Sequence, residues 1–172
     1  SREDFPSRLV VLVSGARMFG AGAPELPQDS LVRGFYRIMY LDDSGVIFAF
    51  DIEPLTEFEV FETRDPALIA IDVREARAER NPTPARIFSL RSPSWPNGER
   101  LGHFEEGLIM AGARETRILR DEAGEFCVEE GLYLTRDEAE KRRESLAAEG
   151  IALIIEERGR GEGPRNLSAE PR

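Results

Sequence analysis

The chain has 172 residues, enough for one large domain or two small ones. Hydrophobic residues make up 41% and charged residues 33%, which excludes a disordered chain. With 33 acidic against 23 basic side chains the net charge is −10, a balance that opposes binding to nucleic-acid phosphates or to anionic lipid.

The chain begins Ser1-Arg2-Glu3-Asp4, with no initiator Met and no signal peptide, so an export signal or anchor is expected to have been lost upstream. Short runs rich in β-branched and aromatic residues then predict strands at Arg8 to Val13, Phe35 to Leu41, Val46 to Ile52, Glu57 to Glu62 and Ala67 to Val73. Gly15 to Ser30 reads as a long loop. Leu41 to Val46, with Asp42, Asp43, Ser44 and Gly45, reads as a hairpin turn, and Thr63 to Pro66 as a second. No helix is expected in this half. Residues 1–76 therefore form a β-rich, sandwich-like N-terminal domain, followed by a linker at 77–85 that contains Asn81-Pro82-Thr83-Pro84.

Beyond residue 85 strands alternate with helices, and the chain repeats itself at an offset of 38 residues. Phe88 to Trp95 aligns without gaps on Phe126 to Tyr133, Leu101 on Ala139, Leu108 on Leu146, and Gly112 on Gly150. Ala113 to Ile118 then matches Ile151 to Ile155 as a following strand. Phe88 and Leu90, like Phe126 and Val128, alternate at period two and share a sheet face. Leu101, Phe104 and Leu108 make one apolar stripe on a helix. Thr135 and Glu138 form a capping box for the second helix, and Gly112 and Gly150 suit the left-handed position that ends each. With Asp121 to Gly124 as the central turn, residues 86–157 give β-α-β-β-α-β, a ferredoxin-like four-stranded antiparallel sheet backed by two helices. Residues 158–172 lose their hydrophobic side chains and read as a flexible tail. The predicted class is α+β.

The repeated pattern of an aromatic strand, then Ala and Leu at helical spacing, then Gly resembles the SPOR domain over residues 85 to 157. Phe126 to Tyr133, Ala139, Leu146 and Gly150 carry the resemblance. It implies a bacterial, exported, non-catalytic module that binds peptidoglycan glycan strands stripped of peptide. The sequence departs from that family at Arg91 and Glu129, where Gln is usual, at Ser92 and Glu130, where Val is usual, and at Pro93, where Gly is usual. Trp95 and Tyr133 stand in for Phe. In the first half, Phe58 to Val73, with Asp65-Pro66 before an apolar strand, resembles the end of an AMIN domain, a β-sandwich of cell-wall amidases and envelope secretins.

If the helices cover one sheet face, Ser89, Arg91, Cys127 and Glu129 line the other, open one. Ser89, Arg91, Trp95, Glu129 and Tyr133 are then the candidate glycan-binding residues. The plainer alternative is a solvated face with an Arg91–Glu129 cross-strand pair. Trp95 reads first as core above the first helix and second as a stacking platform for a sugar. His103 reads as a surface residue, since one His and one Cys make no zinc site. The acidic pairs Asp42-Asp43, Glu105-Glu106 and Glu129-Glu130 have no spacing specific to a calcium loop or a glycosidase. No cofactor, metal or catalytic residue is expected, nor insertion into a membrane. The expected partners are peptidoglycan glycan or envelope proteins. The alternative is a cytoplasmic regulatory module binding a small ligand or protein through its sheet, and a third possibility, a hydrolase, needs two carboxylates converging in one deep cleft.

Overall fold

The computed structural model describes residues 1–15, 24–38, 45–76 and 84–167. The predicted turn at 41–44, most of the linker, part of the long loop and the last five residues lie outside them.

Four strands form the first sheet: β1 (Arg2–Glu3), β2 (Arg8–Ser14), β3 (Val32–Ile38) and β4 (Gly45–Ile52). Their order is β1-β2-β4-β3, all antiparallel. Alternation gives this sheet two apolar faces. One carries Tyr36, Ile38 and Ala49, which join the same core as the C-terminal half. The other carries Val11, Val13, Phe35, Phe48 and Phe50 and turns toward a separate two-stranded ribbon. A bulge separates Val32 from Gly34 in β3. Gly34 leaves room for the Asp51 carboxylate, since a Cβ there would lie 2.6 Å from Asp51 Oδ2 and push that side chain aside.

The ribbon is β5 (Thr56–Arg64) paired with β6 (Ala67–Glu75), from Thr56 opposite Glu75 to Arg64 opposite Ala67. Predicted and observed strands of this half coincide to within about three residues at each described end.

The remaining elements are β7 (Arg86–Arg91), α1 (Glu99–Met110), β8 (Arg117–Arg120), β9 (Phe126–Tyr133), α2 (Arg136–Ala148) and β10 (Ile154–Gly159). The strands form an antiparallel sheet of order β10-β7-β9-β8. Thr135 Oγ1 accepts from Glu138 N–H at 3.3 Å while the Glu138 carboxylate accepts from Thr135 N–H at 3.2 Å, the predicted capping box. Gly112 and Gly150 have φ of 79° and 83° and end their helices as expected. Leu90, Leu101, Leu108, Val128, Ala139 and Leu146 fill the space between the sheet and the helices.

Three expectations need correction. The strands after the helices start later than predicted, at Arg117 and Ile154, because the chain must first cross from the helix end back to the sheet; Leu153 is buried on that crossing. The repeat breaks after β7. Pro93 and Pro96 cannot donate to a ladder, so Trp95 leaves the strand for an isolated bridge to Phe126, whereas β9 runs on to Tyr133. The tail does not fray at 158. Arg158 and Gly159 belong to β10, and Ser94 N–H donates to Leu167 C=O at 2.9 Å.

Candidate functional site

The sheet face opposite the helices brings three of the five candidate residues together, and it is not open. Ser89 and Arg91 are 0% exposed and Glu129 is 1% exposed. Glu129 sits at the centre. Its Oε2 accepts from Ser89 Oγ at 2.5 Å and from Arg158 Nη2, and its Oε1 accepts from Arg117 Nε at 2.8 Å and from Nη2 of the same side chain. Glu156 holds the second node. It accepts from Arg91 Nε at 2.5 Å through Oε2, and from Arg165 N–H at 2.9 Å through Oε1.

Two segments cover this network. The carbonyls of Asp4 and Phe5 accept from Arg117 at 2.7 and 3.0 Å, and the Arg165 carbonyl accepts from Arg91 Nη2 at 2.6 Å. Arg91 and Glu129 are register partners, but each bonds elsewhere. A glycan cannot reach these residues while segments 3–7 and 160–167 stay in place.

Three guanidiniums therefore face two carboxylates in an interior. Buried charges are tolerated only when paired and hydrogen-bonded. Arg158 is the least satisfied of them: its Nε and Nη1 donate to no acceptor among the described residues. Burial lowers its pKa, against the opposing pull of Glu129 and Glu156. Cys127 shares the face, and burial pushes its thiol up to about 12, so it is protonated and inert at neutral pH.

Tyr133 lies apart at the helix side of the sheet. Its hydroxyl donates to Glu130 Oε2 at 2.7 Å, and Arg142 Nε donates to Glu130 Oε1 at 2.7 Å. Burial and Glu130 together raise the Tyr133 pKa. This bridge ties β9 to α2.

Trp95 is mostly buried, as the core reading expects, with its ring edge-on to Phe104 at 5.1 Å between centroids. The Arg100 guanidinium lies 4.2 Å from the ring centroid, a cation–π contact. Yet Trp95 also lines a cleft, a half-open space of about 440 Å³ shared with Arg100, His103, Phe104, Gly107 and Ile151. His103 is exposed at its rim. A further cleft of about 640 Å³ between the two halves carries charges of both signs with an excess of carboxylates, seven against four arginines, among them Glu53, Arg120, Glu162 and Arg165. Among the described residues no group of His, Cys, Asp or Glu is placed to hold a metal ion, and no helix is long and apolar enough to cross a membrane.

Sequence reasoning missed the Arg100–His103–Gly107 side of the cleft. Its signal was present: the three positions fall at i, i+3 and i+7 on one helix face.

Comparison with models of protein families, with curated proteins and with solved structures finds no match to any of them. The fold of the described residues defines an α+β protein, mostly antiparallel sheet with two helices.

Proposed function

We propose that the chain is a non-catalytic binding protein of the bacterial cell envelope. In this reading its C-terminal half is a SPOR-like, ferredoxin-like module that holds peptidoglycan glycan, and its N-terminal half is AMIN-like. The internal repeat and the β-α-β-β-α-β order with central β7 and β9 support the module's assignment. With the polar sheet face covered, the glycan contact moves to the Trp95 cleft.

The composition of that cleft is the observation that carries the reading. Phe104 and the part of Trp95 left uncovered beside Arg100 offer apolar surface to the C–H face of a sugar, while Arg100 and His103 supply polar groups at the rim. A volume of about 440 Å³ falls within the usual range for small-ligand sites. Binding without covalent chemistry needs no more than this.

The test is a pull-down of the full chain on purified peptidoglycan sacculi, intact and stripped of peptides by amidase, using wild type, Gly107→Gln and Arg100→Ala. A Cβ at Gly107 would meet no neighbour within 4 Å, so Gln fills the cleft without disturbing the fold, and replacing a mid-helix Gly favours the helix by up to about 1 kcal/mol. Wild type should bind stripped glycan better than intact, and both variants should lose that binding while staying folded, Gly107→Gln melting no lower than wild type. Equal capture of the two preparations, or full retention by Gly107→Gln, would show that the cleft is not a glycan site.

A further inference from the structure

The β5–β6 ribbon has its chemistry turned outward. Alternation puts Phe58, Val60, Ile69, Ile71 and Val73 on one face of it, yet Val60 is 50% exposed and Ile69 45%. Toward the ribbon tip, Ile69 and Ile71 of this face, with Leu68, form one wall of a groove of about 460 Å³ whose other wall is Val11, Phe35, Phe48 and Phe50 of the first sheet. Its walls are apolar except near the ribbon tip, where Glu62 and Thr63 stand.

The ribbon is also a sheet of two strands only, so among the described residues the outer edges of β5 and β6 pair with no further strand. Its second face is acidic at the end away from the tip, while Phe61 and Leu68 stand exposed nearer the turn. Glu57, Glu59 and Asp72 lie there, with Arg74 held between Glu57 and Glu59 at 3.5 and 3.2 Å. From Thr56 to Glu75 the ribbon carries six carboxylates against two arginines.

From this pairing of an apolar groove with an acidic row on a ribbon of two strands among the described residues, we infer that the ribbon captures an extended segment of a partner protein in which apolar and cationic residues alternate. Such a segment adds as a third strand. Its period of two sends the apolar side chains to the groove side and the Lys or Arg side chains to the acidic side. A second copy of this chain is a poor occupant of the β5 edge. β5 itself alternates Glu57, Phe58, Glu59 and Val60, so β5-to-β5 pairing would set carboxylate beside carboxylate, which is destabilising. An acidic strand from any source fails for the same reason. The surface is remote from the Trp95 cleft in residue content, and the inference stands whether or not that cleft holds glycan.

The experiment uses the full chain and two fluorescent ten-residue peptides, one alternating Lys with Val and one alternating Glu with Val. Fluorescence anisotropy is read at low and at moderate salt, and the oligomeric state by sedimentation. The Lys–Val peptide should bind, more weakly as salt rises, and the Glu–Val peptide should not. The double variant Glu59→Lys/Asp72→Lys should weaken the Lys–Val peptide by about tenfold or more. The separate variant Ile69→Ser, at a half-exposed site, should weaken it while melting as wild type does. Three results would each overturn the inference: no peptide binding, equal binding of both peptides, or a dimer of the unliganded chain that dissociates in Ile69→Ser.

Discussion

The face of the C-terminal sheet turned away from the helices and the apolar face of the β5–β6 ribbon invert the usual rule of protein interiors. On the first, Arg91, Arg158, Glu129 and Glu156 are withdrawn from water and bonded to one another. On the second, Val60 and Ile69 remain about half exposed. Charge inside is stable here because each carboxylate receives several donors, from side chains and from the backbone of Arg165. Apolar surface outside persists because two strands alone cannot enclose a core. The contrast separates what holds the molecule together from what is left for others to touch. A buried ionic network makes the two halves interdependent, since Arg117 reaches from β8 to the carbonyls of Asp4 and Phe5.

The largest effect that sharpens this contrast is expected for Glu129→Ala. Removing the carboxylate leaves the buried Arg158 without the acceptor it shares with the partly buried Arg117, and breaking a buried pair from one side costs about 3–5 kcal/mol. Urea unfolding of the variant should show that loss. Cys127 gives an independent readout, because its buried, protonated thiol reacts with iodoacetamide only when the sheet opens. Labelling at pH 8 should be slow in the wild type and faster by about a hundredfold or more in Glu129→Ala. A variant with unchanged midpoint and unchanged labelling would mean that the network does not stabilise the fold.

A smaller effect is expected at Asp51, beside the seam. Burial raises its pKa above the ordinary value of 3.8, against Arg8 and Arg120, which lower it. A raised folded-state pKa means that the folded protein holds the proton more tightly than the unfolded chain does. The stability it contributes is therefore complete below 3.8 and is lost as pH rises through the folded value. Asp51→Asn, which stays neutral throughout, should be more stable than wild type at pH 7, with the gain shrinking to nothing as pH falls to about 3.8. Thermal melts at pH 7, 5 and 4 measure it; a difference that grows on acidification would reverse the sign and remove the argument.

Local rules made much of the architecture legible. Strands β2, β4, β5 and β6 follow from β-branched and aromatic runs, the start of α2 from Thr135 and Glu138, and the helix ends from Gly112 and Gly150. The 38-residue offset survives in the structure, since β8 moved by that interval falls within β10. The covering of the polar face was not legible. Alternating Ser89 and Arg91 read as solvent-facing because period two distinguishes faces but not what lies over them. The cover is supplied by long-range backbone acceptors, the carbonyls of Asp4, Phe5 and Arg165, which no side-chain pattern reveals. One signal was available. Arg91, Glu129, Glu156 and Arg158 pair opposite charges across β7, β9 and β10, a pattern that neutralises itself and so can be buried. The candidate site was half legible: Trp95 was identified, but its neighbours Arg100 and His103 come from the helix after the Pro-rich bend.

The smallest expected effect tests the other side of the contrast. Val60→Thr replaces a half-exposed side chain with one of nearly the same shape and the same preference for strands. If the ribbon's apolar face is working surface and not core, the stability change should stay within about 0.5 kcal/mol. The equivalent change at Val128, which is 0% exposed beneath the helices, should cost about 1–3 kcal/mol by burying an unsatisfied hydroxyl. Urea midpoints of the two variants in one buffer give the comparison directly. Equal losses would show that the ribbon is clamped onto the first sheet as firmly as the helices are onto theirs, and the groove between them would then be a packing defect with no room for a partner strand.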